Sequence, residues 1–121
     1  MTAGEAEFLY LTTTGRRSGQ PREIEIWFTH HEGRYYLIAE HRDQANWVQN
    51  LRANPRVHIR VTGSSVEATA RATDTKAEPA LCRQVQALSE RKYGWGDGLI
   101  VEITPVGEEG PGRRPTTARE A

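Results

Sequence analysis

Cysteine is almost missing from this chain of 121 residues: Cys82 stands alone. A single thiol excludes an internal disulfide and a thiolate zinc cluster, and it fits a reducing cytoplasm. Net charge is missing as well. Lys+Arg and Asp+Glu each total 16. Residues 1–60 carry 8 basic and 7 acidic side chains and residues 61–121 carry 8 and 9, so neither half is polarised. That excludes the extended basic stripe a nucleic acid asks for and leaves no field to attract an anionic membrane. No run approaches the ~18 apolar residues of a membrane-spanning helix, and the acidic start, Met1–Glu7, is too short for a secretory leader. The histidines do not suggest a metal. His30 and His31 are adjacent and would point to opposite faces of a strand. No carboxylate cluster accompanies His41 or His58, so no metal site is expected. There is no Ser-His-Asp or Cys-His set for nucleophilic catalysis.

What is present is concentrated at Thr12–Arg22, which reads Thr-Thr-Thr-Gly-Arg-Arg-Ser-Gly-Gln-Pro-Arg. An apolar run, Phe8–Leu11, leads in, and an alternating run, Ile24–Phe28, leads out, so the segment is a loop between two strands. Gly15 and Gly19 permit a close approach of ligand to backbone, and successive N–H groups in such a turn can form a concave anion site. Arg16, Arg17 and Arg22 add planar forks suited to phosphate or carboxylate oxygens. The pattern is neither G-x-x-x-x-G-K-[ST] nor G-x-G-x-x-G, and it opens into a strand where those motifs open a helix. A small polyanion on a neutral protein is the ligand class this chemistry implies.

Alternation continues through residues 23–30 and at Tyr35–Ala39, with a Gly33 hairpin turn between them. Asp43 is placed to cap a helix over Gln44–Ala53 that buries Trp47, Val48 and Leu51 and ends before Pro55. Strands follow at Val57–Val61 and Val66–Ala72. A second helix starts near Pro79 and carries Leu81, Val85 and Leu88 on one face. After a loop at Tyr93–Gly98 comes a last strand, Leu99–Ile103. These elements predict a mainly β (α+β) fold, a six-stranded antiparallel split β-barrel with two helices, over residues 1–106. The Gly-, Pro- and Arg-rich tail 107–121 is expected to be disordered.

Three separated segments, 11–22, Trp47–Pro55 and Val66–Arg71, resemble the deazaflavin-dependent nitroreductase and quinone reductase family. That resemblance implies a cytoplasmic oxidoreductase that passes hydride from reduced coenzyme F-420 to a quinone, nitro or enone acceptor. It implies cofactor contacts from Thr14, Gly15, Arg16, Arg17, Ser18 and Arg22 in the loop, and from Trp27, Ala39, His41 and Asn50 elsewhere. Trp27, Tyr93 and Trp95 would form the acceptor side, with Tyr93 or His41 as proton donor. Alternatives left open are FMN as the cofactor, a non-catalytic module that carries deazaflavin, FMN or haem, and a homodimeric or monomeric state.

Overall fold

The computed structural model describes residues 6–106. The tail 107–121, expected above to be disordered, lies outside the described residues. The described chain runs β1 (Phe8–Thr14), β2 (Pro21–Trp27), β3 (Thr29–His31), β4 (Arg34–Ala39), α1 (Asn46–Ala53), β5 (Arg56–Val61), β6 (Ser64–Ala72), α2 (Pro79–Tyr93) and β7 (Leu99–Pro105). The strands form one sheet in the order β2-β1-β5-β6-β7-β4-β3, and each pairing is antiparallel. Two-residue turns at Glu32-Gly33 and Thr62-Gly63, all four residues with positive φ, give the primed hairpin geometry that matches strand twist.

The architecture is mainly β with two helices, but seven strands replace the six expected. Residues 23–30, read above as one strand, break at Phe28. That break closes the fold. The two edge strands, β2 and β3, are consecutive in sequence with only Phe28 between them, so the curled sheet is joined across its open side by the chain itself.

A bent strand takes the corner residue out of the ladder, and α2 supplies the missing partners. The Tyr93 hydroxyl accepts the Phe28 N–H at 3.0 Å and lies 2.8 Å from the Phe28 carbonyl oxygen, with the Glu7 carbonyl as a second acceptor. The Lys92 ammonium donates to the Phe28 and Ala6 carbonyls at 2.9 and 2.8 Å and sits 4.0 Å over the Phe28 ring. Phe28 itself is buried in the main core.

That core lies inside the curl, where Leu9, Leu11, Leu37, Ile59, Val101 and Ile103 meet Val48 and Leu51 of α1. The helix differs in two respects from the reading above. It begins at Asn46 after a 3-10 turn over Arg42–Gln44, and Ala45 rather than Asp43 stands at its N-cap. The Asp43 carboxylate is instead held by Arg52 at 2.6 Å. Trp47 is only half-buried, because its side of the helix faces a groove.

Helix α2 covers the outer face, packing Cys82 and Val85 on Tyr36 and Ile100. Under it, the buried Glu102 carboxylate accepts from the Tyr36 hydroxyl at 2.9 Å and from Arg71 Nε at 2.8 Å. Arg71 forks onward to both oxygens of Glu78. Burial, then the Glu102 hydrogen bond and charge, push the Tyr36 hydroxyl up to about 12.

Two outcomes follow for stability. Tyr36 ionises near its ordinary 10 when unfolded and near 12 when folded, so the fold retains the proton longer. Its contribution is complete below pH 10 and is lost as pH rises through 12, by about 2–3 kcal/mol. Urea titrations across that window should show a loss larger by about that amount in the native sequence than in Tyr36→Phe. Tyr93→Phe, which leaves the Phe28 N–H without its acceptor, should cost about 1–3 kcal/mol, read from the denaturation midpoint at pH 7.

Candidate functional site

The loop between β1 and β2 is braced from within. Gly15 N–H donates to the Gln20 carbonyl and Gly19 N–H to the Gly15 carbonyl, both at 2.8 Å. The Ser18 hydroxyl accepts from Gln20 N–H at 3.1 Å and lies 3.4 Å from the Arg22 guanidinium. A Cβ on Gly15 would stand 2.7 Å from Ser18 Oγ and 3.3 Å from the Gln20 carbonyl oxygen, so a side chain there would displace the Ser18 hydroxyl and press on the turn.

Loop, β2 and α1 enclose an open groove of about 580 Å³, lined by Thr13, Gly15, Arg16, Arg17, Ser18, Arg22, Ile24, Asn46, Trp47 and Asn50. That volume falls in the range of small-molecule sites. Its lining holds three guanidinium groups and no carboxylate. Six of the eight described arginines elsewhere, Arg34, Arg42, Arg52, Arg56, Arg60 and Arg71, each lie within ion-pair distance of an acidic side chain, while Arg83 and Arg91 on α2 do not. Arg16, Arg17 and Arg22 have no such pair among the described residues. One wall, Ile24 and Trp47, is apolar and the other is cationic. The donor set therefore fits an elongated ligand with a flat apolar part and an anionic end.

Within the groove the arginines are not equivalent. Arg16 is tied back to α1: its backbone N–H and its guanidinium both reach Asn50 Oδ1, at 3.1 and 2.8 Å. Its second terminal nitrogen lies 3.3 Å from Asn46 Oδ1. Asn50 in turn donates to the Thr13 hydroxyl at 3.2 Å. All three arginines are exposed, but Arg17 and Arg22 have no such tie to α1.

The structure brings together Gly15, Arg16, Arg17, Ser18, Arg22 and Asn50. It leaves out the other expected residues. Thr14 points away while its neighbour Thr13 lines the groove, an outcome implied by the inward alternation Leu9, Leu11, Thr13. Asn46 and Trp47 also belong to the lining, and only their place on the helix that carries Asn50 could have signalled it. Ala39 is buried in the core, and His41 is exposed beyond the end of β4; neither lines the groove.

Trp27, Tyr93 and Trp95 gather at the other end of β2. Trp27 stands five residues beyond Arg22, about 17 Å along a strand, and projects to the face opposite Ile24 and Ile26. Its ring, 43% exposed, stacks on Tyr93 at 4.2 Å with an interplanar angle of 2°. Trp95 stands edge-on to it at 6.4 Å. The Tyr93 hydroxyl is occupied by the Phe28 corner, so its one proton already goes to a backbone carbonyl.

Among the described residues no helix is long and apolar enough to cross a membrane. Residues 2–96 match the model of the F420H(2)-dependent quinone reductase family. Several solved structures share the fold. HutZ, the haem storage protein from Vibrio cholerae, is 21% identical with a TM-score of 0.67, over 82% of this chain and 81% of its own. An F420-H2 dependent reductase is 20% identical with a TM-score of 0.64, over 85% and 97%. A chain described as a domain-swapped dimer is likewise 20% identical with a TM-score of 0.64, over 85% and 83%.

Gly15→Ala tests the loop geometry. It should force Ser18 off Gln20 and cost about 1–3 kcal/mol of stability. Faster hydrogen exchange at the amides of residues 15 and 19 should report the opening.

Proposed function

The chain belongs to the F420H(2)-dependent quinone reductase family, and we propose that its arginine groove holds the phosphate and carboxylate end of the deazaflavin coenzyme F-420. The protein is an oxidoreductase that uses this coenzyme. The observation that carries the assignment of the groove is the set of three guanidiniums left without carboxylate partners around one cavity of suitable size. Arg17 and Arg22 take the anionic oxygens, Ser18 adds a hydroxyl beside Arg22, and Ile24 with Trp47 offers the apolar wall for the ring end. When bound in reduced form, the deazaflavin supplies a hydride to the acceptor. Among acceptors, a quinone is the first expectation, with nitro compounds and activated enones as the wider class.

The chain's own part in this chemistry is binding and orientation. No nucleophile is needed and none is offered by the groove. Tyr93 serves as scaffold, because its hydroxyl is committed to Phe28. His41, exposed beyond the end of β4, is kept as the proposed donor of the proton that follows the hydride. The Trp27–Tyr93–Trp95 cluster, expected above to take the acceptor, lies at the far end of β2 and on the other face from the groove, too far for direct hydride transfer, so the acceptor ring is proposed to lie beside the coenzyme ring at the Ile24–Trp47 wall. The proposal includes a cytoplasmic location, consistent with the lone buried Cys82. It also includes a homodimer, supported by the described state of one chain of similar fold and readable from sedimentation.

A charge-assisted bond contributes about 1.5–3 kcal/mol. Arg17→Ala and Arg22→Ala should therefore each weaken coenzyme binding roughly ten- to hundredfold in a fluorescence titration, and added salt should weaken the native protein as well. Steady-state reduction of a menadione-type quinone by the reduced coenzyme reads the activity. Unchanged affinity in both single variants removes the groove from the site. Absence of turnover with quinones, nitroarenes and enones removes the proposed acceptor class.

A further inference from the structure

Asn50 is an unusual residue to find 5% exposed at the floor of a binding groove. A buried primary amide must spend its hydrogen-bonding capacity on the protein or forfeit it. Here both lone pairs of Oδ1 are used by one residue, Arg16, through its backbone N–H at 3.1 Å and its guanidinium at 2.8 Å. One N–H of the same amide goes to Thr13 at 3.2 Å, whose side chain is itself buried. Little of Asn50 is left to meet a ligand. What it does is join three pieces that are far apart in sequence: the end of β1, the first arginine of the loop and the middle of α1.

Arg16, though exposed like its neighbours, is correspondingly tied down. Its guanidinium lies against Asn50 Oδ1 and, more loosely, the Asn46 carbonyl and side-chain oxygens. All of these partners are neutral, so its charge is retained and none of it is cancelled. An arginine held this way pins the loop to the helix and fixes where the next residues, Arg17 and Ser18, present themselves. Since loop ordering is otherwise charged against binding, pinning it beforehand raises affinity without a new ligand contact.

We propose that Asn50 is a positioning residue that acts only through Arg16, so that the pair preorganises the loop and leaves Arg17 and Arg22 to contact the anion. This rests on the reading that the groove binds the anionic end of the deazaflavin coenzyme. Asn50 thus serves recognition of the phosphate-bearing tail and has no contact with the ring.

The test compares two probes, the full coenzyme and its phosphate-free riboside, by titration of the whole chain. Asn50→Leu, which keeps side-chain bulk and removes the hydrogen bonds, and Arg16→Ala should each weaken binding of the full coenzyme by about three- to thirtyfold, with riboside binding unchanged. The double variant should be no weaker than the worse single one, because a residue acting only through another adds nothing once that other is gone. Additive losses overturn the proposal, as does an equal loss of riboside affinity. If Asn50→Leu does not fold, Arg16→Lys decides. It keeps the charge but not the two-pronged anchor, and should lose tail affinity and speed exchange of the residue-16 amide; native affinity in this variant refutes the proposal. Arg17→Ala and Arg22→Ala serve as controls: if both leave coenzyme affinity unchanged, the groove reading fails, whereas a weakened control beside a native Asn50→Leu sinks only the positioning role.

Discussion

Phe28 is where the fold is made or lost. A sheet whose two edges are successive strands must bend sharply at their junction, and a bend costs the ladder partners of the corner residue. Left unmet in a buried corner, an N–H and a carbonyl would each cost on the order of 1–3 kcal/mol. Tyr93 and Lys92 meet both from the last turn of α2. The αL residue Gly94 ends that helix immediately afterwards, so the two side chains are delivered at the point where the chain turns away. One contact thus ties the second helix, the open side of the curled sheet and the N-terminal segment at Ala6 and Glu7 together.

The opposite end of β2 has a different economy. Once the corner anchors Trp27, the strand carries Ile24 inward and Arg22 to the mouth of the groove, one face in register with α1. The helix is seated by Val48 and Leu51 in the core, which places Asn50 against Thr13 and the loop. Rigid packing on one side of α1 thereby sets the position of the cationic loop on the other. Charge distribution follows the same division. Across the rest of the surface most arginines are matched by acidic neighbours, a largely solvated arrangement worth little in stability. In the groove they are unmatched, and the uncancelled positive field is available to a ligand.

Much was legible from local pattern. The alternation Leu9, Leu11 and Ile24, Ile26 implied inward faces, Pro79 marked the start of α2, and the two glycines and three arginines between Thr12 and Arg22 implied an anion site. Family resemblance over three segments pointed to the same chemistry, and the family match over residues 2–96 agrees with it. Local pattern misled where a partner distant in sequence intervened. Asp43 looks like a cap, but Arg52 draws its carboxylate away. Residues 23–30 look like one strand, but α2 offers Phe28 side-chain partners that let the strand bend.

The sequence by itself determined the fold class, the inward faces of the strands and the chemistry of the loop, because these depend on periodicity and on residues within one turn or one pleat of each other. Only the tertiary structure decided how many strands there are and which arginines are free. Each of those outcomes rests on a meeting across a long stretch of chain: Arg16 with Asn50, 34 residues apart, and Phe28 with Tyr93, 65 apart. No local periodicity encodes which distant side chain will arrive. Folding brings it there, and the hydrogen bonds it makes on arrival decide what remains for a ligand.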